Sequence, residues 1–469
     1  MTIDPSTWQA ARLIPSCSTQ VRQRSSGPVI AVTVWAHCHT ALHKSDVPRR
    51  HFGAPVGAVE TFIEVPFKFA DKSCRPDGVI RVSGRQRNWT ALVEVKTGRA
   101  QLSLEQVSTY VDVARENDFD AVITVSNEIT TTPGVHPLAV DRKKLKKVSL
   151  HHFSWSRIHT EALIAQFNHA IADPDQAWIL SELIRYLEYP KSGTFDFDDM
   201  GEHWAAVRDA VAMRTARANA KETVEVVSRF DQLVSFAAMM LSRTLGVHVR
   251  QGLSKQDLQD PASRVLRQCQ HLVDAGELVG QLVVPNAVAP MVVLVDMRAG
   301  RVDISATIDC PTTGRPLTRL NWLLRQLKDA PETMLVRPVV ARSRKAFASH
   351  ELKKLLEDPS CILEIGVDDI RAFALTISRP AGTKRGQGRG SLVESVLGAV
   401  DNFYGEVLQN LRGWSARPPR AKDEETLALV PTSESPDSPG DQPVTTTALV
   451  PIGIPEEQPV RGDWPRGRP

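Results

Sequence analysis

Hydrophobic and polar positions in the first third of the chain predict three strands, a helix and a further strand. Between residues 103 and 115, apolar side chains recur every three or four positions, which is the spacing of an amphipathic helix. The strands are predicted from apolar runs bounded by Gly, Pro and polar turns, at residues 61–69, 78–82, 89–95 and 120–125. This order predicts an α/β fold in which a mixed sheet is flanked by helices.

The same criteria divide the chain into five parts. The first domain covers residues 1–155 and ends on a predicted strand at 148–155, and the pattern then becomes helical in a connecting region at 156–245. The remaining parts are a second α/β domain of unassigned role, a basic linker with one amphipathic helix, and a tail rich in Pro, Glu, Ser and Thr, at residues 246–380, 381–413 and 414–469. Because the tail has too few apolar side chains for a core, we expect it to be disordered.

Composition indicates a soluble protein of more than one domain. The chain has 469 residues, of which 42% are hydrophobic and 24% charged, and no segment reaches the ~18 consecutive apolar residues of a membrane helix. Residues 1–20 contain no continuous apolar stretch of the kind that a secretory signal needs. The six cysteines form no CxxC pair and are expected to be reduced. We therefore expect a cytoplasmic protein.

Positive charge is concentrated in the first part of the chain. The whole chain has a net charge of +3, whereas residues 1–160 hold 21 Lys and Arg against 14 Asp and Glu, a net +7. A basic run precedes the strand at 148–155 and supplies candidate nucleic-acid contacts at Arg142, Lys143, Lys144, Lys146 and Lys147. Two interpretations of this run are open, a solvated loop and a contact with phosphates.

Two short motifs on the predicted strands carry candidate chemistry. Asp77 stands between Pro76 and Gly78 at the entrance of a strand, and Glu94 and Lys96 lie two residues apart on the next strand, so strand periodicity directs both to one face. Two carboxylates on neighbouring strands can share a hard cation, while Lys96 positions or activates a water. The alternatives are a turn-forming Asp77 and a solvent-facing ion pair between Glu94 and Lys96.

This pattern resembles the PD-(D/E)xK nuclease superfamily, which includes many restriction enzymes and RecB-like exonucleases. The family pattern is Pro-Asp after one strand and Glu-x-Lys on the next. Pro76-Asp77 and Glu94-Val95-Lys96 match both parts in the same order. The resemblance therefore implies a restriction-endonuclease-like fold for the first domain.

Further residues support the resemblance to the RecB-like members, which carry Gln-x-x-x-Tyr on the following helix. Gln106 and Tyr110 match that spacing, and the similarity extends over residues 60–130. The family often has another acidic residue on a helix before the first strand. Here Glu60 and Glu64 lie near that strand, and Glu64 is preferred because its strand leads toward the Pro-Asp motif.

The resemblance implies a metal-dependent nuclease, a hydrolase that cleaves phosphodiester bonds with Mg²⁺ or Mn²⁺. Asp77, Glu94 and Lys96 are the expected catalytic residues, Asp77 and Glu94 the metal ligands, and Glu64, Gln106 and Tyr110 supporting residues. DNA is the expected partner, in defence, repair or a stress response, and the second domain is expected to recognise a substrate, a protein partner or a second copy of the chain. The alternative is a non-catalytic nucleic-acid-binding or interaction protein on the same fold.

A second possible metal site is suggested by four clustered residues near the start of the chain. His37, Cys38, His39 and His43 are of ligand types that bind Zn²⁺. Their spacing fits no common closed zinc site, and His151-His152 is remote in sequence. Packing and surface histidines are the preferred interpretation.

Overall fold

The computed structural model describes residues 53–415, except 56, 64, 70–71, 133, 169–172, 344–346, 364–366, 368 and 387. Its first half contains, in chain order, β1 (Gly57–Ile63), β2 (Phe67–Phe69), β3 (Lys72–Cys74), β4 (Gly78–Gly84), β5 (Asn88–Val95), α1 (Leu104–Glu116), β6 (Ala121–Ser126), β7 (Ser149–Ser154), α2 (Trp155–Phe167) and α3 (Pro174–Glu188).

The first sheet is mixed, as the order of elements predicts. Its strands lie in the order β1-β4-β5-β6-β7. β1, β4 and β5 pair antiparallel, whereas β5, β6 and β7 run parallel to one another. A parallel pair needs a crossover connection, and α1 provides it between β5 and β6. The α/β class predicted from the sequence is thus confirmed.

Both faces of the central strands are covered, which explains their nearly continuous apolar sequences. On one face Val93 and Ile123 pack with residues of α2 and α3. On the other face Leu92 and Val122 pack with the apolar side of α1. Each fully buried aliphatic side chain of this kind contributes about 1.5–3 kcal/mol. The sheet is therefore a rigid support for the side chains at the carboxyl end of β5.

One strand prediction is wrong in detail. Residues 61–69 were expected to form a single strand, but β1 ends at Ile63 and the small hairpin β2-β3 follows. Among the described strands the hairpin pairs only with itself, with Phe67 opposite Cys74. The interruption falls near Pro66, which has no N–H to donate to a sheet. The apolar pattern of residues 61–69 therefore did not show that β1 and β2 belong to different sheets.

The second half contains, in chain order, α4 (Trp204–Ala212), α5 (Lys221–Leu245), β8 (Arg250–Gln251), α6 (Lys255–Gln259), α7 (Pro261–Ala275), β9 (Glu277–Val283), β10 (Met291–Asp296), β11 (Arg301–Asp309), α8 (Pro316–Leu324), β12 (Leu335–Val340), β13 (His350–Glu351), α9 (Leu352–Glu357), β14 (Ile370–Pro380) and α10 (Leu392–Glu406). Its sheet has the order β13-β12-β14-β11-β10-β9-β8, and all its pairings are antiparallel.

Helices cover one face of the second sheet. Alternate residues of β10 and β11 are buried, and they join one hydrophobic core with α5, α7 and α10. In this region sequence periodicity predicts strands at residues 278–284, 291–296, 301–308 and 334–340, which correspond to β9 to β12, but it misses β14 and α7. β14 lies centrally between β12 and β11 and its inner residues are buried almost continuously, so it lacks the alternation that marks a half-exposed strand.

Helix α5 links the two halves. It packs on α2 of the first half and on β9 of the second. Near its end, Arg243 donates hydrogen bonds to both carboxylate oxygens of Asp196, at 3.0 and 3.1 Å, and to the hydroxyls of Ser156 and Thr160. The helices of the region predicted as a connecting layer therefore divide between the cores of the two sheets.

The basic segment at 383–390 is held against the protein. The Trp204 indole N–H and Arg208 both donate to the carbonyl of Thr383, at 3.1 and 2.9 Å. Arg385 forms an ion pair with Asp199 at 3.0 Å. The predicted basic linker therefore packs against α4 and the segment that precedes it. Of the predicted disordered tail, residues 414–469, the part from residue 416 onward lies outside the described residues. Within the described residues, no helix is long and apolar enough to cross a membrane.

Candidate active site

The motif residues meet at the carboxyl end of β5. Gly78 of β4 is paired with Val93 of β5, so Asp77 and Glu94, the next residues outward, lie opposite each other. Directly opposed residues of antiparallel strands share a face of the sheet. Lys96 follows two residues after Glu94, and its ammonium nitrogen contacts Glu94 Oε1 at 2.5 Å.

Asp77 is held in place by the backbone of the neighbouring strand. Its Oδ2 accepts a hydrogen bond from the Val95 N–H at 2.7 Å. Pro76 is buried and has a restricted φ angle, and Gly78 is the first residue of β4. The Pro-Asp-Gly sequence thus sets where the carboxylate enters the site.

Glu94 is a buried carboxylate with one oxygen satisfied and one left open. The residue is 2% exposed. Oε1 accepts hydrogen bonds from Lys96 Nζ at 2.5 Å and from Gln106 Nε2 at 2.8 Å. Oε2 is buried and has no hydrogen-bond partner among the described residues. Since an unsatisfied buried carboxylate oxygen is costly, this atom fits a position where a cation binds.

Helix α1 supplies the two residues of the Gln-x-x-x-Tyr spacing. Ser103 caps the helix by accepting from the Gln106 N–H, so Gln106 is fixed in the first turn. Its side-chain amide donates to Glu94 and to the Tyr110 hydroxyl, the latter at 3.0 Å, and that hydroxyl donates to the Arg75 carbonyl at 3.3 Å. The structure thus joins both helix residues to the Glu94 carboxylate.

Tyr110 is a neutral member of this cluster. Burial raises the pKa of its phenol above the ordinary range, and the charges of Glu94 and Asp77 raise it further. Both carboxylates therefore act on the same hydroxyl, which is consistent with their common face of the sheet. Tyr110 remains protonated at neutral pH and serves as a hydrogen-bond donor rather than as a base.

The backbone of Lys96 is pinned on both sides. Its N–H donates to the Val125 carbonyl at 2.8 Å, and its carbonyl accepts from the indole N–H of Trp155 at 2.9 Å. Trp155 is one of the largest fully buried side chains. Sequence reasoning did not identify this tryptophan, because the contact joins residues 59 positions apart.

A buried row of polar residues continues across the sheet beside Glu94. Thr124 of β6 is in register with Glu94, and His152 of β7 is in register with Thr124. The Thr124 hydroxyl lies 2.9 Å from His136 Nε2 and 2.9 Å from His152 Nδ1. The sequence analysis considered His152 only as a remote zinc ligand and did not identify Thr124 or His136, because nothing in the sequence places His136 next to the strands.

The contacts of this row define which nitrogens carry protons. His152 Nε2 donates to the Glu128 carbonyl at 2.9 Å, so its Nδ1 accepts the Thr124 hydroxyl proton. His136 Nδ1 accepts from the Leu138 N–H at 3.0 Å, so its Nε2 donates to Thr124. With these donors and acceptors the network is complete while both imidazoles are neutral.

We expect this histidine pair to weaken the fold in acid. Burial lowers the pKa of His152 to about 4 and also lowers the pKa of His136, whereas an unfolded histidine titrates near 6.5. As the pH falls below about 6.5, these two histidines become protonated in the unfolded chain but stay neutral in the native protein. The free energy of unfolding should therefore decrease by about 1.4 kcal/mol per pH unit for each histidine until its native pKa is reached.

Urea unfolding at a series of pH values from neutral to about 4 measures this slope. His152→Asn should be less stable at neutral pH and show a smaller slope, because one titrating group is removed. His248→Asn, whose side chain is 41% exposed, is the matched control for replacing a histidine outside this row. A wild-type stability that does not change with pH over this range would refute the interpretation.

Of the two candidates for the additional acidic residue, Glu60 is not brought to the site. Glu60 is exposed and aligns with Arg81, which aligns with Thr90, four residues before Glu94. At roughly 3.3 Å per residue this places Glu60 about 13 Å from the Asp77 row. The preferred candidate, Glu64, lies outside the described residues.

The basic run lies toward the amino end of the parallel strands. Lys144 forms an ion pair with Asp112 on α1 at 2.5 Å. The run leads into β7, whose first residue is in register with Ala121 of β6 and hence with Ala91, three residues before Glu94. The phosphate-contact interpretation of Arg142, Lys143, Lys144, Lys146 and Lys147 remains a prediction.

The possible metal ligands near the start of the chain, His37, Cys38, His39 and His43, lie outside the described residues. Over the part of the chain that the structure describes, no group of three or more His, Cys, Asp or Glu side chains is arranged to hold a metal ion. The donor set at the site is therefore the pair Asp77 and Glu94. Hard cations such as Mg²⁺ accept a few carboxylate oxygens and complete their shell with water or substrate oxygens, so this pair fits such an ion.

Comparison with protein-family models, with curated proteins and with solved structures finds no match for this chain.

Proposed function

We propose that the protein is a metal-dependent nuclease that hydrolyses phosphodiester bonds, with DNA as its substrate. The observation that carries the proposal is the convergence of Asp77, Glu94 and Lys96 at one end of β5. There, Glu94 Oε2 is buried and has no hydrogen-bond partner among the described residues. The resemblance to the PD-(D/E)xK superfamily supplies the reaction class, and the mixed sheet with α1 as its crossover supports it.

Asp77 and Glu94 would hold a Mg²⁺ or Mn²⁺ ion through their carboxylate oxygens. When bound, such an ion polarises a phosphoryl oxygen and lowers the pKa of water. Gln106 and Lys96 occupy Glu94 Oε1, which leaves Oε2 as the available acceptor. Tyr110 fixes Gln106, so the orientation of Glu94 is set before any substrate arrives.

Lys96 has the role of positioning the attacking water and stabilising the negative charge that develops on the phosphate. Its ammonium is partly exposed, with 21% of the side chain accessible, so it can reach a substrate. Its backbone is fixed by hydrogen bonds with Val125 and Trp155, which limits the conformational entropy that is lost on binding. A preorganised donor of this kind acts more strongly on the transition state than on the substrate.

The partner in this proposal is a polyanion. The net charge of +7 on residues 1–160 favours DNA over a neutral substrate. The second sheet with its helices would recognise a feature of the substrate, a partner protein or a second copy of the chain. Action in the cytoplasm is part of the same proposal.

One observation favours a second candidate, a nucleic-acid-binding protein without turnover. The described part of the site holds two carboxylates, and one of them forms an ion pair with the lysine that would act on water. A protein that kept the nuclease fold but had lost one acidic metal ligand would have a site with the same two carboxylates.

Cleavage of labelled linear, circular and single-stranded DNA, with Mg²⁺ and with EDTA, tests the proposal. Wild-type protein should cleave at least one substrate only with the metal, and Asp77→Ala should not cleave. DNA binding without metal-dependent cleavage would favour the second candidate instead.

A further inference from the structure

An open cavity of about 390 Å³ lies beside the end of α3, and its lining does not include Asp77, Glu94 or Lys96. Its lining comes from the start of α2, the end of α3 and the loop that follows α3. The volume is within the range of small-molecule sites, which is roughly 300–1,000 Å³. The proposed cleavage chemistry makes no use of this cavity.

The loop that forms one wall is fixed by side-chain and backbone hydrogen bonds. Asn127, directly after β6, donates to the carbonyls of Gly98 and Gly193 at 3.0 and 2.9 Å and accepts from the Phe195 N–H at 2.8 Å. The Gly98 N–H also donates to the Gly193 carbonyl, at 2.7 Å. The cavity is therefore formed in advance of any ligand, which reduces the entropy cost of binding.

The charged groups of the cavity leave an excess of negative charge. Of the three lining carboxylates, Asp196 is neutralised by Arg243, whose guanidinium is fully used in that contact and in bonds to Ser156 and Thr160. Glu188 and Asp198 have no ion pair with Lys or Arg among the residues that the structure describes.

The remaining titratable group does not offset this charge. Burial and the neighbouring Arg243 lower the pKa of His159, so its imidazole is neutral at pH 7 and donates from Nε2 to Glu188 at 3.2 Å. Burial and the neighbouring Asp199 raise the pKa of Asp198, and Arg229 opposes that effect. The Arg229 guanidinium itself lies over the Phe197 ring at 5.7 Å. An anion such as phosphate would therefore be repelled, which separates this cavity from any DNA-contacting surface.

Two aromatic rings flank the carboxylates. Tyr189 is 52% exposed and Phe195 is 44% exposed, although large apolar side chains are usually buried. The faces of such rings attract cations, most strongly a guanidinium or an ammonium. Carboxylates and exposed rings around one cavity are thus complementary to a cationic group on an apolar stem.

We propose that this cavity binds an organic cation, a guanidinium or ammonium group on an apolar stem, through Glu188, Asp198 and the rings of Tyr189 and Phe195. The cation can belong to a small molecule or to a basic side chain of a protein. The proposal does not depend on nuclease activity.

Isothermal titration calorimetry with the full-length protein tests the proposal with two cationic probes and one anion. Agmatine represents a free small molecule, the blocked tripeptide Gly-Arg-Gly represents a protein side chain, and inorganic phosphate is the anionic probe. At least one cation should bind saturably and phosphate should not. The tighter cationic probe identifies the source of the group.

The matched variants are Glu188→Gln/Asp198→Asn in the cavity and Glu116→Gln/Glu202→Gln on the surface elsewhere. The cavity variant should bind the cation about tenfold or more weakly, whereas the surface variant should bind like wild type. Thermal unfolding checks both, and Asp198→Asn alone replaces the double variant if that protein does not fold. The proposal is overturned if neither cation binds, if phosphate binds more tightly, or if the cavity variant keeps wild-type affinity.

Discussion

Lys96→Ala is expected to lower the rate of DNA cleavage by about 10²-fold or more while leaving most of the affinity for a divalent cation. Lys96 is cationic and cannot be a metal ligand, so its loss removes water positioning and charge stabilisation only. Glu94 keeps its hydrogen bond from Gln106, and Asp77 keeps its bond from the Val95 N–H. The carboxylate pair should therefore remain assembled.

The contrasting variant is Asp77→Ala, which should lose cation binding together with cleavage. Lys353→Ala, at an exposed ion pair with Glu332, is the control for removal of a surface lysine and should cleave at the wild-type rate. Cleavage of a labelled duplex gives the rates, and circular dichroism shows whether each variant is folded. Wild-type cleavage by Lys96→Ala would remove this residue from the mechanism.

Asp231→Ala is expected to lower the free energy of unfolding by about 3–5 kcal/mol. Asp231 on α5 is completely buried and forms a two-bond ion pair with Arg264 on α7, one bond of which measures 2.7 Å. Burial raises the pKa of Asp231, and the Arg264 guanidinium opposes that effect. Removing the carboxylate leaves a buried cation without its partner, which is the main source of the loss.

Urea unfolding compares this variant with two others. Asp231→Leu/Arg264→Met should recover most of the stability, because both charges are replaced by apolar groups of similar volume. Arg267→Ala, from an exposed pair with Asp257, should change stability by less than about 1 kcal/mol. If Asp231→Ala is as stable as Arg267→Ala, the buried pair does not hold α5 to α7.

The Pro-Asp and Glu-x-Lys motifs could be placed from the sequence because local rules govern them. Strand periodicity directs Glu94 and Lys96 to one face, and the hairpin from β4 to β5 sets Asp77 opposite Glu94. Helical spacing likewise relates Gln106 to Tyr110. What the sequence did not show is that Gln106 contacts Glu94 directly, because that depends on how α1 packs on the sheet.

The parts that were missed depend on contacts between distant residues. His136 reaches Thr124 from a loop, and Trp155 reaches the Lys96 carbonyl from the start of α2. Neither contact has a local signature. The burial of β14 on both faces has the same consequence for secondary structure, since a central strand loses the alternation on which its prediction relies.

The central claim is that Asp77 and Glu94 form a divalent-cation site that supports phosphodiester hydrolysis. Titration of the wild-type protein with Mn²⁺ by calorimetry, beside Asp77→Ala and Glu94→Gln, tests it most directly. We expect saturable binding by the wild type, over the concentrations at which Mn²⁺ supports cleavage, and binding that is lost or strongly weakened in both variants. Absence of binding by the wild type, or equal binding by all three proteins, would contradict the claim.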